Sequence, residues 1–511
     1  MDVFRKTCKL WSSWFYLVSR KRTNQNFMRC FQTSACCQHK DMNSNELSED
    51  SSTTPTTKTP ITKTPKPISE SVKRAKCEAL WGMFIGDALS MPVHWYYNTN
   101  DILKNYDRWI SDYTAPKTFY SGSILPLSAA DDSGRKSSSN NQTKAIIGQV
   151  ILHDKLKFWT SGDPYFYHQG MEPGDNTLNM LVALKILQTM QETDPWALKS
   201  DQEVMASVLE SYVHFMTTPD THNDTYAESF HRLFFKDWNA VPDPPLRGQD
   251  IFDFAKRRSR QMLSQPPDSQ LSGIGALVLV LPWVLRNAGK TEDECAQTAV
   301  EFIKLTHPVQ SLIPFVDIYS RLFHATLNGF DLGSEVRKIL AHASLGGHDN
   351  RHMMLHLADQ VSSSENSLKG HQRNTSLLGL ACYIESSMKT LLYLMLCFAE
   401  DFNSGTYVNT NSGGENCHRG AALGAVLGAA SAQGKSEKIK NVWKSGLTPP
   451  KLGDSLYTLK YSNIIKNHVL VRRKNLCYDL HKYSKTEQFP VFRGQLQSKL
   501  KLIYLPTKLE I

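Results

Sequence analysis

The chain has 511 residues, of which 41% are hydrophobic and 21% charged. That length allows about three domains at ~150 residues each, and the composition excludes a fibrous or wholly disordered chain. The formal charge of +9 belongs to the ends: residues 1–40 carry a net +7 and residues 451–511 a net +8, leaving 38 basic and 44 acidic groups between them. A nucleic-acid-binding core would cluster positive charge opposite phosphates, so no nucleic acid is expected on this core. No uninterrupted run of about 18 apolar residues exists, so no membrane-spanning helix is expected.

In chain order, residues 1–40 form a basic leader whose only acid is Asp2. An Arg-containing, acid-poor leader reads as a mitochondrial presequence, with Arg29-Cys-Phe-Gln-Thr-Ser-Ala35 suited to cleavage. The alternative is a leader without function, which leaves the protein cytoplasmic. Residues 41–71 are a Thr/Pro/Ser-rich linker with little to bury, expected to be disordered. Residues 72–445 predict one all-α domain. Helical periodicity falls near 73–90, 177–191, 202–216, 224–237, 250–264, 273–287, 292–306, 309–326, 332–341, 374–399 and 419–432, with loop-rich breaks at 111–143 and 343–372. Residues 446–511 are a basic appendix. The ten cysteines have no framework spacing and no CxxC, which favours a reducing compartment.

Two helices carry glycine stripes: Gly82, Gly86 and Ser90 in the first, Gly420, Gly424 and Gly428 in the last. Each interior glycine costs roughly 1 kcal/mol against alanine, and close approach of two backbones is the usual reason for keeping one. The two helices are therefore expected to pack on each other. That packing would bring Pro92-Val-His-Trp-Tyr-Tyr97 near Asn411-Ser-Gly-Gly-Glu-Asn-Cys-His418. A third polar turn, Gly170-Met-Glu-Pro-Gly-Asp-Asn-Thr177, precedes an apolar helix. Helix N-termini attract anions and metal-bound oxygens, although from periodicity alone the preferred reading is that Asp175 or Asn176 is a plain N-cap.

At these turns the sequence resembles the ADP-ribosylglycohydrolase superfamily, including its jellyfish J-crystallin branch. The resemblance is carried by Gly86-Asp-Ala-Leu-Ser-Met-Pro92, by Gly174-Asp-Asn-Thr177 heading a helix, and by Gly413-Gly414 running into Gly420-Ala-Ala-Leu-Gly-Ala-Val-Leu-Gly428. It implies a compact all-α fold with an ADP-ribose cleft, two magnesium ions, and hydrolysis of the bond joining ADP-ribose to an acceptor side chain. The chain departs from the family pattern. His94 replaces a glutamate, Gly174, Asp175 and Asn176 replace Thr-Asp-Asp, and Glu415, Asn416, Cys417 and His418 replace Asp-x-Asp-Thr. Of five expected carboxylates only those at 175 and 415 remain.

Three readings stay open on those residues. In the first, Asp175, Asn176 and Glu415 hold at most one Mg2+, and His94, Asp175 and Glu415 hydrolyse an ADP-ribosyl or related N/O-glycosidic bond. His168, Asn176, Thr177, Asn416, Cys417, His418 and Arg419 would then bind the ADP-ribose-like ligand. In the second, His94, Cys417 and His418 do Zn2+-type or thiolate chemistry. In the third, the cleft is catalytically degenerate and binds a nucleotide or serves a crystallin-like structural role. Arg419 reads either as a phosphate clamp or as a solvated helix start. Trp95, Tyr96 and Tyr97 read as core packing or as an adenine stack. In Thr221-His-Asn-Asp-Thr-Tyr-Ala-Glu228, capping by Asp224 or Thr225 is preferred over a place in the cleft.

Overall fold

The first helix, α1 (Glu70–Ser90), opens on an N-cap at Ser69, whose Oγ accepts from the Val72 N–H at 3.3 Å. The computed structural model describes residues 68–131, 145–195, 197–266, 271–362, 367–434 and 438–447. All lie within one compact unit that begins at Lys66. Almost the whole leader, linker and appendix fall outside them. The described residues hold α-helices, short 3-10 turns and three isolated β-bridges, with no strand.

After α1 come α2 (Asn100–Tyr106), α3 (Leu156–Thr160), α4 (Leu178–Thr193), α5 (Asp201–Thr217), α6 (Ser229–Asn239), α7 (Gly248–Leu263) and α8 (Gly275–Arg286). The chain continues through α9 (Glu292–Thr306), α10 (Ile313–Leu327), α11 (Leu332–Ile339), α12 (Gly347–Ser362) and α13 (Ser367–Leu378). It ends with α14 (Ile384–Cys397), α15 (Phe402–Ser412), α16 (Asn416–Ser431) and α17 (Asn441–Ser445). Reciprocal capping boxes start α5 (Ser200 with Glu203) and α9 (Thr291 with Glu294); each satisfies two otherwise orphaned N–H groups. The apolar α8, buried from Gly275 to Leu285, packs against α4, α9, α10 and α16 at the centre of the domain.

The glycine stripes meet as expected. α1 and α16 lie antiparallel with Gly82 against Gly424, Gly86 against Gly420, and Gly428 against the Glu78 carbonyl. A Cβ on any of these glycines would overlap a backbone carbonyl of the facing helix. Every residue of α16 is buried. Ser90 completes the stripe by bonding Thr410 Oγ1 at 3.1 Å and accepting from Asn409 Nδ2 at 3.2 Å.

Several expected elements need correction. The loop-rich reading of 343–372 fails, because α12 and the first part of α13 occupy most of it. The single helix expected over 374–399 is two helices, broken at Gly379, whose φ of +122° no helix contains. The helix expected from 224 starts at Ser229, since residues 224–228 are drawn out by partners elsewhere in the fold. α2, α3, α15 and α17 were not expected. Of the loop-rich break expected at 111–143, residues 132–143 lie outside the described residues.

Candidate active site

The turn after α1 and the turn before α16 are laced together by backbone. Trp95 N–H donates to the Gly414 carbonyl at 2.7 Å, Gly414 N–H donates to the Tyr96 carbonyl at 2.9 Å, and Glu415 N–H donates to the Leu380 carbonyl at 2.8 Å. Gly413 and Gly414 stand at φ +66° and +63°, where a Cβ would run into the carbonyls of Tyr96 and Leu380. Only glycine fits both the conformation and the space.

The third turn is fixed by Asp87 of α1. Its carboxylate accepts from Thr177 N at 2.8 Å, Thr177 Oγ1 at 2.7 Å and Asn176 Nδ2 at 2.9 Å. Asn176 Nδ2 also donates to the Phe84 carbonyl. These bonds join the start of α4 to the end of α1, so Asn176 and Thr177 are first of all structural. Asp224 covers the next orphan donor of α4, accepting from Leu178 N at 2.7 Å. The preference for Asp224 as the cap of its own helix is thereby corrected: it caps α4, far away in sequence.

From Asp224 a line of polar side chains runs through the buried interior. Asp224 Oδ1 meets His168 Nδ1 at 2.8 Å, and His168 Nε2 meets His94 Nδ1 at 2.7 Å. His94 Nε2 then meets Glu415 Oε1 at 2.8 Å. Glu415 Oε1 also pairs with His418 Nδ1 at 2.6 Å, and its Oε2 accepts from Trp95 Nε1. Glu228 Oε1 lies 3.6 Å from the same Nδ1. Glu228 Oε2 accepts from Asn179 Nδ2 at 2.6 Å. All of these groups except Asn179 and Trp95 are ionisable, and all are buried.

The three contacts from Asp224 to Glu415 need three protons, whereas two neutral imidazoles supply two. One additional proton is therefore held along this line. Burial drives the His94 imidazole down to about 3 against the pull of Glu415, so His94 stays neutral. For Asp224, burial favours the acid form, but the His168 charge and the hydrogen bonds from His168 and Leu178 outweigh it and lower its pKa. For Glu415 burial is likewise outweighed, here by His94 and His418, and the carboxyl falls well below the usual range. His418, despite burial, is pushed up to about 9 by Glu228 and Glu415. His94 thus links the Asp224–His168 contact to the Glu415–His418 ion pair. Glu228 moves the opposite way: burial raises it, only partly opposed by His418.

A cavity of about 10 Å³ lies among His94, His168, Thr177, Leu178, Asn179, Asp224, Tyr226, Glu228 and His418, room for roughly one water molecule. A groove of about 700 Å³ between α6, α7 and residues 308–310 shares no residue with it.

Of the residues expected at a site, the fold brings together His94, His168, Thr177, Glu415 and His418. Asp175 stands apart from the cavity lining: it is half-buried and turns its Oδ2 back to the Glu172 N–H at 2.8 Å. The expected ligand trio of Asp175, Asn176 and Glu415 is not assembled. Asn416 donates to the Thr410 carbonyl at 2.9 Å. Arg419 is neither a solvated helix start nor cleft-lining; it is fully buried, donating to Asn409 Oδ1 at 2.8 Å and to the Gly413 carbonyl at 2.9 Å. Cys417 packs with Met91 and Met171, and burial pushes its thiol well above the usual value, which argues against an activated nucleophile. Glu228 and Asp224 were missed as site residues. Their one sequence signal was the density of acceptors between 221 and 228.

His94, Glu415 and His418, and separately His94, His168 and Cys417, present ligand atoms close enough to one another to hold a divalent ion. Magnesium takes an almost all-oxygen shell, and neither trio fits it. Imidazole and carboxylate suit zinc in kind. The His94 Nε2–Glu415 Oε1 contact of 2.8 Å is a hydrogen bond, whereas His418 Nδ1 lies 2.6 Å from Glu415 Oε1 without hydrogen-bond geometry.

Residues 69–464 match the family profile described as ADP-ribosylglycohydrolase. Among solved structures the chain is similar to one described as an "ADP-ribosylglycohydrolase-related protein complex". The match has 14% identity and a TM-score of 0.43, covering 77% of this chain and 99% of the other. Comparison with curated proteins gives no match.

Proposed function

The chain belongs to the ADP-ribosylglycohydrolase family, and from that premise we propose that it is a hydrolase of an ADP-ribosyl or related N/O-glycosidic bond, working through Glu415 and Glu228. One observation carries this reading. Two buried carboxyls reach the same His418 nitrogen, and their surroundings push them in opposite directions, Glu415 towards the carboxylate and Glu228 towards the acid. Opposed titration of neighbouring carboxyls is how acid and base roles are divided in glycosidic hydrolysis. In this reading Glu228 gives its proton to the leaving acceptor atom. Glu415 takes a proton from a water admitted beside it, and that water's oxygen bonds to the anomeric carbon as the glycosidic bond breaks. His94, kept neutral and oriented by the Asp224–His168 pair, holds Glu415 in place. His418 and Trp95 withdraw as the substrate enters, since a carboxylate paired with a cation and bonded by two donors is a weak base. No step is assigned to magnesium, because the donor set does not suit it.

The second reading is a catalytically degenerate, crystallin-like or nucleotide-binding protein, and the size of the cavity favours it. Ligand pockets run to about 300–1,000 Å³, against about 10 Å³ at the cluster. Incubating the full chain with mono-ADP-ribosylated peptides and following ADP-ribose release by mass spectrometry separates the two. Release that falls at least ~100-fold in Glu415→Gln and in Glu228→Gln is expected. A folded protein that releases none across pH 5–9 would replace the first reading with the second.

A further inference from the structure

Trp95 is placed unlike any other tryptophan of the described core. Its φ is +62°, a left-handed conformation that large L-residues rarely adopt, and it is held there by the Gly414 carbonyl. The indole lies flat on the His94 ring, with centroids 3.8 Å apart and planes at 20°. The edges of Tyr167 and Tyr226 close its sides at 4.3 and 4.8 Å. Its one polar atom, Nε1, donates to Glu415 Oε2. Glu415 has no solvent exposure and Trp95 has 7%, while the residue two places on, Tyr97, is 51% exposed. The indole therefore covers one face of His94 and the Oε2 side of the buried Glu415 carboxylate. A stacking face, two edge-on aromatic walls and a carboxylate awaiting an N–H donor together make a binding slot, filled by the chain itself.

We infer that the Trp95 indole is a built-in occupant of a slot for a planar, N–H-bearing heteroaromatic ring, and that its withdrawal opens the buried site. The slot stands on geometry alone; its use as a gate rests on the hydrolase reading. Trp95 is a positioning residue here, and displacing it frees Glu415 Oε2 to pair with the ring of an incoming ligand. The strained turn makes withdrawal feasible, because leaving φ +62° relieves the backbone.

The test empties the slot and refills it. In full-length Trp95→Gly, glycine keeps the turn's φ without strain and removes the ring. Free indole should raise the variant's melting temperature by several degrees and leave the wild type unmoved. N-methylindole, which lacks the donor, should bind at least ~10-fold more weakly. A folded variant blind to indole would overturn the slot. Should that variant not fold, indole N–H exchange in the wild type decides. The ten 15N-indole signals include Trp159, fully buried with Nε1 on the Thr225 carbonyl at 3.0 Å. Trp95, assigned through Trp95→Phe, should exchange at least ~100-fold faster than Trp159; equal rates would overturn the inference. Indole rescue without ADP-ribose release keeps the slot and removes the hydrolase reading. Release from a wild type whose Trp95 is as protected as Trp159 does the reverse.

Discussion

At the scale of single residues, burial sets the terms and pairing decides the outcome. His94, Glu415 and His418 are all enclosed, yet one is driven neutral while the other two hold opposite charges. Glu415 is depressed, so its contribution to stability is present above the unfolded carboxylate value of about 4.3 and is lost as pH falls towards its native value. His418 is raised to about 9, so its contribution is complete below about 6.5 and is lost as pH rises through about 9. His94, driven down to about 3, works the other way on the acid side, because the unfolded imidazole takes up a proton below about 6.5 that the native one refuses. Thermal melts should accordingly peak near pH 6.5–7, decline towards acid, and fall by at least about 3 °C between pH 7 and 9.5. Glu415→Gln should flatten that alkaline limb; a limb unchanged by the substitution would place its origin elsewhere. Trp95 stores a further cost at this scale, about 1–2 kcal/mol for a left-handed L-residue.

At the scale of elements, the antiparallel pair α1 and α16 fixes where two of the three site turns stand. Gly86→Ala would set a methyl into the Gly420 carbonyl, where only backbone is available to move. It should destabilise by at least about 3 kcal/mol, beyond ordinary overpacking. Gly162→Ala is the control: exposed, at φ +86° and with open space around it, it should lose only about 1 kcal/mol. Urea midpoints measure both, and comparable losses would mean that the helix contact yields. The glycine stripe was legible in the sequence because glycine at a four-residue spacing has few other uses in a helix. α15 was not, because Asn, Ser, Thr and Gly read as loop. In the fold it is buried, and Thr406, Asn411 and Ser412 turn back to carbonyls four residues earlier, so enclosure overrides local preference. Asp224 and Glu228 were hidden for a related reason. Beside the start of α6 the local reading is capping, and only the packed fold shows that their partners sit on α4 and beyond.

At the scale of the whole molecule, the cluster draws on residues from 94 to 418, and nothing short of the complete arrangement encloses it. His94 follows α1, His168 and Asp224 flank the approach to α4 and α6, and Glu415 and His418 come with α16. A chain ended at residue 412 would lack the helix that lies against α1, α8, α10, α14 and α15. It should show no cooperative thermal transition and should bind the dye ANS, as loosely packed states do. A sharp calorimetric peak from that truncation would contradict the central place given to α16. The basic ends contribute no described structure. The acidic balance of the intervening chain means that DNA affinity of the full protein should collapse between 50 and 200 mM salt.

The pairing of α1 with α16 also governs the order in which the protein can be made. Ribosomes deliver α1 early and α16 only after more than three hundred further residues, at some 5–20 residues per second. For that interval Gly82 and Gly86 line an empty seam in the nascent chain, beside the apolar side chains of α8. Completion of the domain thus waits on one late segment, and the growing polypeptide is a natural client for chaperones until it emerges.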